Sequence, residues 1–260
     1  MGNQASQKTT NALQERNISE KEKYDAVVKK YRSKYGQFAD INKTNPSGKI
    51  YYDDRVNPLM IAVEKTELED VKILIAGGAD VNKRAFDSMI REGLTPLMMA
   101  IKQQDVNDAY LQQEKDYEND EKAVGLKSKK EYIELALEIF NYLLDKGADP
   151  NIESFWPKGF TALHFAARYN LPTEEIKKMV ERMTVDSINK KSPETNKTAL
   201  DSFYARLKQH SKWDGIPRRR RQLQEVIDFI RSKGGESNFY ELDGSLSLPG
   251  LMGKETNLKL

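Results

Sequence analysis

Apolar residues recur at intervals of three and four along most of the chain, in short amphipathic segments separated by polar turns. A small polar residue followed by Pro or Ala and an apolar run is typical of a helix start. The pattern therefore predicts four short helices of one kind. Their openings are Asn57-Pro58-Leu59-Met60, Thr95-Pro96-Leu97-Met98, Thr161-Ala162-Leu163-His164 and Thr198-Ala199-Leu200-Asp201.

After each opening comes a second amphipathic segment and then a turn of recurring composition. The glycine of such a turn suits the left-handed position that ends a helix, and the Asp and Asn that follow can satisfy backbone donors. Each unit therefore reads as helix, turn, helix, loop. The clearest turns are Gly78-Ala79-Asp80-Val81-Asn82 and Gly147-Ala148-Asp149-Pro150-Asn151.

These units resemble the ankyrin repeat, whose period is about 33 residues and whose pattern begins Thr-Pro-Leu-His-x-Ala. The segments 161–167 and 71–82 carry the resemblance most closely. It implies an all-α solenoid of about four and a half helix-turn-helix units, in which neighbouring pairs stack because one pair cannot bury its apolar face alone. The residues expected in the shared core include Leu59, Ala62, Leu97, Ala100, Leu163, Ala166 and Leu200.

The resemblance covers about residues 19–238. We expect residues 1–18 to be disordered and residues 239–260 to form a loose tail, which either folds back over the last repeat or serves as a short docking peptide. Between them we place a half repeat at 19–53, which would cap the array, and repeats at about 54–90, 91–155, 156–192 and 193–238.

The second repeat is longer than the others, because Pro96 and Ala162 are 66 residues apart while the neighbouring intervals are 38 and 37. An interval of 66 equals two periods, so it could contain an undetected repeat. Residues 104–130 are rich in Asp, Glu, Lys and Gln and contain no second opening, which favours an insertion. A second insertion is predicted at 209–222.

Composition excludes several kinds of chemistry. The chain has no cysteine and two histidines, which excludes disulfides and thiolate sites and argues against a zinc centre. Lys and Arg total 42 against 40 for Asp and Glu, so no global charge attracts nucleic acid or an anionic membrane. Because there is neither a long apolar run nor a secretory signal, we expect a cytoplasmic protein.

No catalytic pattern emerges either. There is no nucleophile-base pair and no phosphate-binding glycine loop, so we predict a protein that is not an enzyme and has no cofactor, metal or small-molecule substrate. His164 stands at the His position of the ankyrin motif. The resemblance implies that its ring hydrogen-bonds the neighbouring loop.

The resemblance also implies that loop tips and the exposed sides of the first helices form a concave face that binds a protein. Aromatic and Arg side chains are enriched at interface hot spots. On this basis the strongest candidates are Phe155, Trp156, Phe160, Arg168 and Tyr169, although Trp156 and Phe160 could instead pack on their own loop. The same face also offers Arg84, Phe86, Arg91, Lys102 and Lys158.

A run of four arginines follows Trp213 in the second insertion. It could bind phosphate groups, an acidic protein or a nuclear import receptor. It could equally be a solvated run partly neutralised by Asp214 and Glu225. The candidates for partner binding in this segment are Trp213, Arg218, Arg219, Arg220 and Arg221.

The N-terminus begins Met1-Gly2-Asn3-Gln4-Ala5-Ser6, which satisfies the pattern for myristoylation of Gly2. One acyl chain gives only marginal attachment, so the sequence predicts membrane contact only if Gly2 is modified and a second contact exists. The leading hypothesis is a non-enzymatic module that binds a protein partner. The alternative is an effector that a bacterium delivers into a host cell, or an immunity protein that neutralises a toxin.

Overall fold

The computed structural model describes residues 19–31, 33, 57–84, 93–105, 128–155, 157–169, 171–211 and 217–240. Within these ranges the side chains of residues 105, 210, 211, 217 and 218 are not described. None of the helices in these ranges is long and apolar enough to cross a bilayer.

The described residues fold into helices joined by turns, as predicted. Four antiparallel pairs form, and the first helix of each pair packs against the first helix of the next. This side-by-side stacking is the predicted solenoid. The helices are α1 (residues 19–31), α2 (Pro58–Glu64), α3 (Leu68–Ala76), α4 (Pro96–Lys102), α5 (Lys129–Asp145), α6 (Ala162–Arg168), α7 (Thr173–Val180), α8 (Val185–Ile188), α9 (Ala199–Ser211) and α10 (Pro217–Ser232).

The pairs are α2 with α3, α4 with α5, α6 with α7 and α9 with α10. A single turn of 3-10 helix, Gln103–Asp105, extends α4, and the short α8 lies in the link to the last pair. Along the other side of the stack, α3 packs on α5 and α7 packs on α10. The helices thus form two layers, a first-helix layer and a second-helix layer.

The first helices begin at the predicted openings, because each opening caps its own helix. The Asn57 side chain accepts a hydrogen bond from the Met60 amide at 2.8 Å, and the Thr95 hydroxyl accepts one from the Met98 amide at 3.3 Å. Pro follows these two caps at the first helical position, where no backbone N–H is needed.

The core is continuous from α1 to α10, and its centre is the first-helix layer. Small alanines on these helices let neighbouring helices approach closely, and larger leucines fill the space between the layers. The predicted core is confirmed. The side chains of Leu59, Ala62, Leu97, Ala100, Leu163, Ala166 and Leu200 are at most 1% exposed.

Helix α1 closes the N-terminal end of the stack. Its apolar face buries Val27, Val28 and Tyr31. The Tyr31 hydroxyl donates to the Asp70 carboxylate on α3 at 2.9 Å, and the Lys30 ammonium pairs with the same carboxylate at 2.7 Å. Helix α1 is therefore joined to α3 of the first full pair.

The two predicted insertions differ in what the structure describes of them. In the first, residues 106–127 lie outside the described ranges, and residues 129–130 already belong to α5. In the second, α9 continues to Ser211 and α10 begins at Pro217, so only residues 212–216 lie outside. Most of the second insertion is therefore helical, and α9 is 13 residues long where α2, α4 and α6 have 7.

The C-terminal end of the stack is closed by residues 236–240. The Tyr240 ring stacks on the Tyr204 ring of α9, with centroids 5.2 Å apart. The amides of Asn238 and Phe239 each donate to the buried Asp201 carboxylate at 3.0 Å. The first two residues of the predicted tail thus fold back onto the last pair, while residues 241–260 lie outside the described ranges.

Candidate partner-binding surface

The recurring turns join one helix pair to the next. Gly78 and Gly147 adopt positive φ angles of 93° and 87°, which end their helices in the left-handed region. Within each turn an Asp side chain accepts from the amide two residues later, as in the 2.8 Å bond from the Asn82 amide to the Asp80 carboxylate. The predicted local turn chemistry is confirmed.

The side chain of the Asn that ends each turn bonds to the backbone of the following turn. The Asn82 side-chain oxygen accepts from the Asp149 amide at 2.7 Å, and its amide group donates to the Gly147 carbonyl at 3.2 Å. In the same way, the Asn151 side-chain oxygen accepts from the Thr184 amide, and its amide group donates to the Arg182 carbonyl. Asn189 makes them to Glu236 and Gly234, at 2.7 and 2.9 Å.

We call Asn82, Asn151 and Asn189 the asparagine ladder. Each of its side chains satisfies one donor and one acceptor of the next turn, which fixes the spacing between loop tips. The loop tips therefore form one connected edge of the stack.

Replacing Asn189 by Ala is expected to lower the free energy of unfolding by about 1.5 kcal/mol, because the Glu236 amide and the Gly234 carbonyl lose their partners. Asn189→Asp keeps the accepting oxygen and loses the donor, so about half of that loss is expected. Urea unfolding of the two variants measures the difference. Equal stability of Asn189→Ala and the original protein would contradict the ladder.

His164 has a structural role at the start of α6. Its Nδ1 accepts from the Thr161 amide at 3.2 Å and lies 3.1 Å from the Thr161 hydroxyl, and the Phe160 ring stacks on the imidazole at 4.7 Å. Burial lowers the pKa of His164 to about 4. The backbone of Lys197 and Lys190 in the next loop acts to raise the pKa, but the effect of burial is larger. The imidazole is therefore neutral at pH 7.

One loop tip exposes a large aromatic side chain. Phe155 is 46% exposed, and the Arg84 guanidinium of the preceding loop lies over its ring at 4.0 Å. Arg84 also donates to the Glu153 carbonyl at 3.1 Å, which fixes it across two loops. The ring also lies against Gly93, where a Cβ atom would be 2.2 Å from it. Arg84 and Phe155, both predicted candidates, are thus in contact.

A row of aromatic rings follows along α6. Phe160 packs edge-on to Phe165 at 6.1 Å, and Phe165 stacks with Tyr169 at 6.3 Å. The Arg168 guanidinium lies 5.8 Å from the Tyr169 ring centroid and is itself exposed. The predicted Phe160, Arg168 and Tyr169 are therefore joined by Phe165, which the sequence analysis did not select.

The remaining candidates are more scattered. Lys158 is exposed in the loop between Phe155 and Phe160, and Lys102 is half-buried in the last turn of α4. Outside the described residues lie Gly2, Phe86, Arg91, Trp156 and Trp213.

Comparison with known proteins gives distant structural similarities only. No family model matches the sequence, and no curated protein matches it. The solved structures that resemble the chain include two at 18% identity. One is the ankyrin repeat domain of Bcl-3, described as a unique member of the IkappaB protein family. The match covers 86% of this chain and 85% of that domain, with a TM-score of 0.34. The other is the human ASB11 ankyrin repeat domain. The match covers 87% of this chain and 90% of that domain, with a TM-score of 0.32.

The helix pairs, the capped openings and the asparagine ladder of this chain decide the fold. It is an ankyrin-repeat stack. Its first helices form one layer, and its second helices form the other.

The described arginines of the run differ in burial. Arg219 is half-buried, whereas Arg220 and Arg221 are exposed on α10. The helix turns about 100° per residue, so adjacent arginines point in different directions. Glu225 had been considered a neutralising partner for the run, but its carboxylate pairs with Lys177 on α7.

The second helices of the ankyrin stack pair their charges with one another. Besides the Lys177–Glu225 contact, Lys178 donates to Asn141 at 3.0 Å and Arg182 lies 3.4 Å from the Asp145 carboxylate. These contacts cross from one repeat to the next. The aromatic and arginine side chains selected above lie instead in the loop tips and on the first helix α6.

Proposed function

We propose that the protein is a non-enzymatic module that binds a partner protein through a surface made of Arg84, Phe155, Phe160, Arg168 and Tyr169. We call these five residues the third-repeat surface, because three of them belong to the third full repeat and Arg84 and Phe155 come from the two repeats before it. The observation that carries the proposal is the exposure of Phe155, because a phenyl ring at 46% exposure is left in water although its position is fixed by Arg84 and Gly93.

The fixed geometry favours tight binding. A side chain that is free in solution loses rotamer freedom when a partner immobilises it, which costs about 0.5–1.5 kcal/mol. Phe155 is already restrained by the Arg84 guanidinium, and Tyr169 by the stack with Phe165. A partner that covers these rings would bury apolar area with little additional ordering, and the exposed Arg168 would supply a charged donor beside them.

Combining Phe155→Ala with Arg168→Ala is expected to weaken partner binding at least about tenfold, since two hot-spot side chains each contribute more than about 1 kcal/mol. The immobilised full-length protein is used to capture partners from the cells that produce it, and the captured proteins are quantified by mass spectrometry. The affinity of the main partner is then measured by titration with the purified variants.

Val185→Ala provides a matched control, because Val185 is 52% exposed and lies on α8 rather than on the third-repeat surface. Its partner affinity should equal that of the original protein. If the double variant captured the same partners with the same affinity, the third-repeat surface would not be the binding site.

A further inference from the structure

The N-terminal helix α1 docks on the stack through one buried stripe. Val27, Val28 and Tyr31 are buried and Tyr24 is half-buried, whereas the other side chains of residues 19–30 are exposed. The three buried residues follow Tyr24 at intervals of three, four and seven, which places all four on one side of a helix. Anchors at this spacing are the means by which an amphipathic helix binds a groove on another protein.

Two contacts, two helical turns apart, fix α1 on α3. At one end the Tyr31 hydroxyl donates to the Asp70 carboxylate at 2.9 Å, and at the other the Tyr24 ring lies on Gly77, the residue that ends α3. Tyr24 and Tyr31 are seven residues apart, as are Asp70 and Gly77. Two turns of α1 therefore match two turns of α3, and the two helices run antiparallel. We call the surface of α3 from Asp70 to Gly77 the α1 site.

Gly77 is needed for space and not for its backbone conformation. Its φ angle is −80°, which any residue adopts, but a Cβ atom would lie 2.0 Å from the Tyr24 ring. In two other turns the residue at this position, directly before the glycine that ends the helix, is Lys146 or Lys233. The first pair thus departs from the repeat pattern of the chain at the point where α1 docks. The α1 site is therefore shaped for a large aromatic side chain.

The connection of α1 to the rest of the chain favours its separate release. Residues 32–56 separate α1 from the cap of α2, whereas only residues 65–67 separate α2 from α3. A longer connection lowers the effective concentration of a docked segment. The polar contact also lies near solvent, because the Lys30 side chain that pairs with Asp70 is 51% exposed. A single short helix is marginal without its docking contacts, so α1 opens more readily than the stacked pairs.

We propose that α1 is a detachable helix and that the α1 site, when α1 leaves it, binds an amphipathic helix of a partner protein with the same anchors. Such a helix carries an aromatic ring for Gly77, two apolar residues one turn further on, and a hydroxyl or ammonium donor for Asp70. Helix α1 then competes with the partner for the site. The α1 site goes beyond the third-repeat surface, because it lies at the N-terminal end of the stack and shares no residue with it.

The direct test is fluorescence anisotropy with a labelled peptide of residues 19–33 and two forms of the full-length protein. Val27→Asp places a charge at a buried position of α1, so α1 should leave its site while the site itself is unchanged. We expect saturable binding of the peptide to this variant below about 1 mM. Binding to the original protein should be at least about tenfold weaker, because its own α1 occupies the site. Absence of saturable binding to Val27→Asp, or equal binding to both proteins, would overturn the proposal.

Changes in the α1 site itself show where the peptide binds. Gly77→Lys, made in the Val27→Asp protein, places a side chain where the Tyr24 ring lies and should abolish peptide binding. Ala76→Lys, made in the same protein, adds the same side chain at the neighbouring exposed position and should change the affinity less than about twofold. Equal effects of the two changes would show that binding does not use the Gly77 position and would overturn the proposal.

Helix α1 must also leave without unfolding the rest of the stack. In the Val27→Asp protein the amides of α6 should exchange as slowly as in the original protein, because the pairs remain stacked. Loss of protection in α6 would show that α1 does not open separately and would overturn the proposal. Phe155→Ala with Arg168→Ala, made in the Val27→Asp protein, should leave the affinity for the peptide unchanged, so failure of the α1 site and failure of the third-repeat surface give different results.

Discussion

Acidification is expected to lower the free energy of unfolding by about 3 kcal/mol through His164 alone as the pH falls from about 6.5 to about 4. Burial keeps the folded imidazole neutral until the pH approaches its pKa of about 4, whereas the unfolded chain takes up the proton once the pH falls below about 6.5. Protonation therefore favours the unfolded state throughout this window. Above it, His164 adds no pH dependence.

The measurement is urea unfolding of the original protein and of His164→Gln at neutral pH and near pH 4.5. A glutamine is neutral at both, so the original protein should lose more stability on acidification than the variant. His210→Gln is the control, because it removes the only other histidine. The same loss in the original protein and in His164→Gln would show that His164 is not the group responsible.

Replacing Asp201 by Ala is expected to cost about 3 kcal/mol, because several donors around a buried carboxylate lose their acceptor together. Asp201 is 1% exposed. One of its oxygens accepts from the Thr198 amide at 2.8 Å, and the other accepts from the Ser237 hydroxyl at 2.5 Å and from the amides of Asn238 and Phe239. The same side chain thus caps α9 and fixes the segment that closes the stack.

Thermal and urea unfolding of Asp201→Ala measure this loss. Amide hydrogen exchange should show that Asn238 and Phe239 exchange faster in the variant. Asp228→Ala removes an exposed carboxylate whose contact is to Gln224 on its own helix, and it should change stability by less than about 0.5 kcal/mol. Similar stabilities of the two variants would contradict the role of Asp201.

Asp201 shows where sequence analysis succeeds and where it stops. The spacing Thr198-x-x-Asp201 follows the capping pattern at a helix start, so its contact with the Thr198 amide could be read from four adjacent residues. Its contacts with residues 237–239 could not, because they join segments 36 or more residues apart. The order of the helices is encoded locally, whereas the closure of the stack depends on tertiary packing.

The arginines illustrate a missed signal. Arg219 was grouped with its three neighbours as one basic run, although Leu223 and Val226 follow it at intervals of four and seven and place it on the buried side of α10. Helical spacing could therefore have separated Arg219 from Arg220. That Arg219 and Arg206 line a common cavity could not be foreseen, because the two residues lie on different helices.

The aromatic row was predicted in part. Phe160, Arg168 and Tyr169 were selected by residue type, while Phe165 was passed over. Its spacing of four from Tyr169 on a helix predicts that the two rings meet, as they do at 6.3 Å. The contact of Arg84 with Phe155 spans two loops 71 positions apart. Predicting such a contact requires knowing how the repeats stack, and not only where each repeat lies in the sequence.

The most direct test of the stacked repeats is amide hydrogen exchange at Asp149, Thr184 and Glu236, whose amides donate to the asparagine ladder at 2.7–2.8 Å. If neighbouring turns are joined as described, all three amides should exchange at least about 100-fold more slowly than in an unfolded chain. Exchange of all three at the unfolded rate would show that the turns are not joined, and the ankyrin-repeat stack would be contradicted.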